Sequence, residues 1–211
     1  MRIMKWSRCV SAAALLLALV APGAASAATS TYQLHGDHAT AAFSTVEPDG
    51  CTFTEVYIHV HESRYQIPPG GPQTGTWLDV QIVKTDECLG YQTLLNAFGS
   101  VEIPASAFDV QGNLLSATLD ATVPVFEYIS GESDVVTLSL SWAGEEDIFR
   151  NSQHERYASP YYKYTFRSSG SYRNAQATGT VIYRGVNLTP GPSAYAYLSS
   201  AQSGQVSIET F

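Results

Sequence analysis

Strict two-residue alternation constrains this chain more than any other feature. In "TWLDVQIV", Leu78, Val80 and Ile82 fall on one side of an extended chain, and Trp77, Asp79, Gln81 and Val83 on the other. "SDVVTLSLSW" sets Val136, Leu138 and Leu140 against Thr137, Ser139 and Ser141. "YYKYTFR" sets Tyr162, Tyr164 and Phe166 against Lys163, Thr165 and Arg167. A period of two marks a half-buried strand, because successive side chains leave opposite faces of the pleat. Helical spacing is scarce. "CLGYQTLLNAFG" alone admits it, and its glycines and aromatics favour extended chain. The expected fold is all-β: an antiparallel β-sandwich of immunoglobulin-like or jelly-roll-like kind, with one disulfide.

A weak internal repeat runs through these strands. "DHATAAFSTV" (37–46) leads to "FTEVYIHVHE" (53–62), "SATLDATV" (116–123) to "SDVVTLSLSW" (133–142), and "NAQATGTVIY" (174–183) to "SGQVSIETF". Each pair is a small-residue strand, a loop, then an alternating strand. Superposed, Val56, Ile58 and Val60 fall on Val136, Leu138 and Leu140, while His59 and His61 fall on Ser139 and Ser141.

Residues 1–27 read as a signal peptide. Arg2, Lys5 and Arg8 precede the short apolar run "VSAAALLLALVA", and "ASA" supplies the small residues a signal peptidase requires before Ala28. The run falls short of the ~20 residues that span a bilayer. The expected product is one soluble β-sandwich domain, 28–211, without a membrane span, located outside the cell or in a periplasm. Losing three cations and no acids takes the formal charge from −8 to −11. It also removes Cys9 and leaves Cys51 and Cys88, which in an oxidising compartment pair most simply with each other. Such a bridge closes a loop of about 38 residues, worth roughly 4 kcal/mol in chain-entropy terms. "IPPGGPQTG" (67–75) is the strongest loop signal and too short to divide the chain into two domains.

Chemistry-bearing motifs are few. "HVH" places His59 and His61 on the same face of a strand, and "HGDH" adds His35 and His38, with Asp37 and Glu55 as nearby carboxylates. Imidazole with carboxylate suits zinc or another divalent metal. The reading needs a third ligand to fold back onto the His59/His61 face. The simpler expectation is that it does not, and that both histidines belong to a solvent-facing row. "HESRY" and "HERYA" lack the second histidine of a zinc-protease helix, "GEEDIF" lacks the alternating acids of a calcium loop, and no nucleophile elbow or phosphate-binding glycine motif occurs.

Charge is unevenly spread. Residues 28–149 carry two cations and 17 acids, whereas 150–211 carry six cations and two acids, interleaved with tyrosines. Tyr157, Tyr161, Lys163, Arg167, Tyr172 and Arg173 are the candidate ligand-binding residues of this segment, offering stacking and cation–π contact. A net charge of −11 repels phosphates, which argues against nucleic acid. The leading expectation is a secreted, non-enzymatic protein that binds an extracellular glycan or surface polymer and needs no cofactor. The alternatives are a metal-binding protein or metal-dependent hydrolase using His59 and His61, and a purely structural envelope protein.

Overall fold

The computed structural model describes residues 28–67 and 69–210, and for 28–31, 34, 202–206 and 210 the backbone alone. The signal-peptide reading of 1–27 lies outside the described residues. Eleven strands follow in order: β1 Ala28–Val46, β2 Thr52–Gln66, β3 Pro72–Asp86, β4 Gln92–Ile103, β5 Phe108–Val110, β6 Ser116–Glu127, β7 Glu132–Gly144, β8 Phe149–Ala158, β9 Tyr162–Tyr183, β10 Val186–Asn187 and β11 Tyr195–Thr210. Every strand pairing among them is antiparallel. The stretch that admitted helix, 88–99, contributes most of β4 instead.

The fold is a sandwich whose layers join along both edges. β8, β9, β11, β1, β2, β3 and β4 lie side by side in one layer, and β5, β6 and β7 in the other. β9 belongs to both, since Tyr162–Asn174 pairs with β11 while Ala175–Tyr183 pairs with β7. At the far edge β4 meets β6 only through Ala97–Glu127 and Phe98–Phe126. Gly99 permits this seam, because a Cβ there would stand 2.2 Å from the carbonyl oxygen of Pro124.

Between the layers sits the core that alternation requires. Val56, Ile58 and Val60 of β2, Leu78, Val80 and Ile82 of β3, and Val136, Leu138, Leu140 and Trp142 of β7 are buried. Each such side chain contributes roughly 1.5–3 kcal/mol of burial free energy. Small residues face them from Ala39 and Ala41 of β1, Ala177 of β9 and Ala196 of β11. Trp142 ties the layers together, its indole Nε1 donating to the carbonyl oxygen of Thr40 at 2.9 Å. Cys51 and Cys88 form a disulfide that fastens the β1–β2 turn to the β3–β4 turn. Such a bond is compatible with an oxidising compartment. No helix among the described residues is long and apolar enough to cross a membrane.

Beyond the core, β8 and the first half of β9 continue as a hairpin that contributes no residue to it; all ten residues of β8 are exposed. Only Tyr183 is buried among the described tyrosines. The Tyr162–Tyr164–Phe166 row therefore does not enter the core.

A candidate metal centre on the outer face

The outward row of β2 is Glu55, Tyr57, His59 and His61, because Val56, Ile58 and Val60 take the inward positions. Two turns set what stands beside this row. The β1–β2 turn is closed by hydrogen bonds from the Glu47 amide to the Thr52 carbonyl, 2.8 Å, and from the Gly50 amide to the Glu47 carbonyl, 3.0 Å. Gly50 adopts φ 70°, which glycine accommodates without a Cβ penalty. Asp49 caps the turn, its carboxylate accepting the amides of Cys51 and Thr52 and the Thr52 hydroxyl. Those bonds, the Thr52 amide foremost, hold its carboxyl below the usual range. The resulting register places His38 opposite His61 and Thr40 opposite His59. Across the "IPPGGP" loop, β3 places Asp79 opposite His59 and Trp77 opposite His61.

Three imidazoles therefore meet. Ring centroids are 5.1 Å apart for His59 and His61, 5.7 Å for His38 and His61, and 5.9 Å for His38 and His59, all near-parallel. Asp79 Oδ2 lies 3.6 Å from His59 Nδ1. One donor atom from each of His59, His61 and Asp79 lies within 4.8 Å of the others. An ion held at ~2.0–2.2 Å from each donor draws them to roughly 3.3 Å of one another, a swing of about an ångström for half-exposed side chains. His61 Nδ1 is buried with no hydrogen-bond partner, as is Oγ1 of Thr40, the residue opposite His59. An orphaned ring nitrogen is costly unless something accepts its lone pair or proton, and a cation does so.

Electrostatics favours the ligand form. Burial lowers the His38 pKa from its ordinary 6.5, with His59 and His61 lowering it further and Asp37 opposing. Burial also lowers His61, with His59 adding to the effect and Asp79 opposing it. Both rings are thus neutral at pH 7, the state in which imidazole binds metal.

His35 does not join the cluster. Three positions from His38, it falls on the other side of β1, and its Nδ1 lies 3.2 Å from the Ala201 carbonyl oxygen. Glu55, on the same row as His59 by parity, instead meets the Tyr57 hydroxyl, whose pKa is raised by burial first and by Glu55 in addition. Asp79 supplies the carboxylate. In the sequence Asp79 falls on the polar face of its strand with no motif to tie it to the histidines; the loop centred on Pro69 is what sets 59 opposite 79.

The Tyr/Arg segment is divided by the pleat. β8 and β9 pair without a register shift, so Phe149, Tyr157, Tyr162, Tyr164, Phe166 and Tyr172 share one face. Arg150, Arg156, Lys163, Arg167 and Arg173 share the other. Among the six candidates, Tyr157 and Tyr172 thus lie opposite Lys163, Arg167 and Arg173, and Tyr161 stands 77% exposed in the hairpin turn. Lys163 Nζ lies 3.6 Å from Glu209, and Arg173 Nε is buried without a hydrogen-bond partner. The structure does not bring these six side chains into one patch.

The chain matches no family model, no curated protein and no solved structure.

Proposed function

We propose that this is an exported protein that binds a divalent transition-metal ion, of the zinc or copper class, on the outer face of β1–β3. The observation that carries this reading is the convergence of His38, His59 and His61, from two strands, with Asp79 from a third. His59, His61 and Asp79 are the ligands, and His38 closes the set. Nitrogen-rich donors with one carboxylate suit zinc, copper or nickel better than calcium or magnesium, which prefer oxygen. The 17 acids against two cations in 28–149 add a favourable field for any cation. Export is inferred from the N-terminal segment, and the disulfide is consistent with it.

Elemental analysis of tag-free protein exposed to one equivalent of zinc or copper and then desalted tests the proposal. The expected result is one ion per chain, with a raised melting temperature that is absent in His59→Ala. Recovery of less than about a tenth of an equivalent, with no thermal shift, rejects it.

A further inference from the structure

One strand beyond the histidines, the same outer face carries four aromatic rings in succession. Centroids are separated by 6.4 Å from Phe149 to Tyr172, 5.2 Å from Tyr172 to Tyr197, and 5.7 Å from Tyr197 to Tyr195. Phe149 and Tyr195 are more than half exposed, so both ends of the ridge are open to solvent.

Polar groups along this ridge are held in place. The Tyr172 hydroxyl donates to Asn174 Oδ1 at 2.7 Å, and Asn174 Nδ2 donates to Glu146 Oε2 at 2.9 Å. The hydroxyls of Tyr172 and Tyr195 stand 3.5 Å apart. Their hydrogen bond, with burial and neighbouring acidic groups, pushes Tyr172 up to about 12. Glu146 adopts φ 58°, a left-handed conformation that a non-glycine residue holds only when its surroundings impose it. Its neighbour Glu145 fixes that bend, the amide donating to the Asn174 carbonyl at 2.7 Å. The Asn174 amide bridge holds the Glu146 carboxylate beside the aromatic ridge.

We infer that the Phe149–Tyr172–Tyr197–Tyr195 ridge, with Glu146 and Asn174, binds an uncharged polysaccharide. Pyranose rings offer apolar C–H faces that stack on aromatic rings and hydroxyls that donate to carboxylate, amide and phenol oxygens. The pleat decides against an anionic polymer: the five cations of β8 and the first half of β9 all point to the opposite face. Ser199 faces His38 and Tyr197 faces Thr40 across the β11–β1 pairing, so the ridge stands beside the histidine cluster and shares no residue with it.

Pull-down and affinity electrophoresis on cellulose, chitin, mannan, β-1,3-glucan and galactan, with heparin and polygalacturonate as anionic contrasts, test this. At least one neutral polymer is expected to retain the protein. Tyr195→Ala and Tyr172→Ala should each weaken that binding about tenfold or more, while Tyr161→Ala and His61→Ala leave it unchanged. Tyr195 is exposed, so its truncation spares the fold, which circular dichroism checks. Binding to none of the neutral polymers, binding to anionic polymers alone, or binding indifferent to both tyrosine variants overturns the inference. Because His61→Ala is read separately, none of these outcomes bears on the metal centre.

Discussion

His38 of β1 and His61 of β2 are direct cross-strand partners, their rings stacked 5.7 Å apart with an interplanar angle of 18°. Direct partners on one face hold their Cβ atoms about 5 Å apart, so register alone brings these rings into contact. A one-residue slip would turn one ring to the inner face. The histidine cluster is thus a consequence of strand register.

Gly36 guards that register. A Cβ at this position would stand 1.7 Å from the carbonyl oxygen of Glu62, too close for any side chain to coexist with the observed spacing. Gly36→Ala should therefore push β1 away from β2 beside the histidines. The expected cost is about 1–3 kcal/mol in urea denaturation, together with weaker zinc binding. An unchanged denaturation midpoint would show that β1 does not approach β2 this closely.

Glu127 makes an acid-sensitive contribution at the β6–β7 turn. The Ser130 side chain, with the amides of Ile129, Ser130 and Asn96, lowers its pKa from 4.5 to about 2. The folded chain holds this anion more readily than the unfolded chain does. The stability it contributes is complete above about pH 4.5 and is lost as pH falls towards 2. The melting-temperature gap between wild type and Glu127→Gln should be wide at about pH 6 and should close by about pH 2. A gap that stays constant would place the effect elsewhere.

The Cys51–Cys88 bridge spans 37 positions of sequence, and the chain-entropy model values such a loop at roughly 4 kcal/mol. The Cys51→Ser/Cys88→Ser double variant should lose stability of that order in equilibrium denaturation. Both cysteines sit at the turn end of the β1–β4 strands, away from the histidine rings, so zinc affinity of the folded variant should hold. Equal stability of the two proteins would assign the bridge no structural weight.

Much of the fold was legible because alternation is a local property. Val56, Ile58 and Val60 must share a face whatever they pack against, and so must Leu78, Val80 and Ile82. The division of β9 between two layers left no such mark, since it depends on what lies beside each half. The site was legible in pieces. "HVH" identified one row, but the match with "SLS" in the sister strand favoured a plain solvent-facing row. The turns held the missing information: the Glu47–Thr52 turn, centred between Asp49 and Gly50, pairs 38 with 61, and the loop centred on Pro69 pairs 59 with 79. Sequence spacing around a turn carries register only once the turn is known to be tight, and that is a tertiary fact. Splitting the Tyr/Arg cluster needed only parity, applied across β8 and β9 together.

Anomalous diffraction would locate an ion on the outer face of β1–β3. Crystals grown with one equivalent of zinc would be measured on both sides of the zinc absorption edge. The expected result is a single strong difference peak bounded by His59, His61 and Asp79, with His38 turned towards it. A map with no peak there, or with its peak at His154 on the far hairpin, would contradict it.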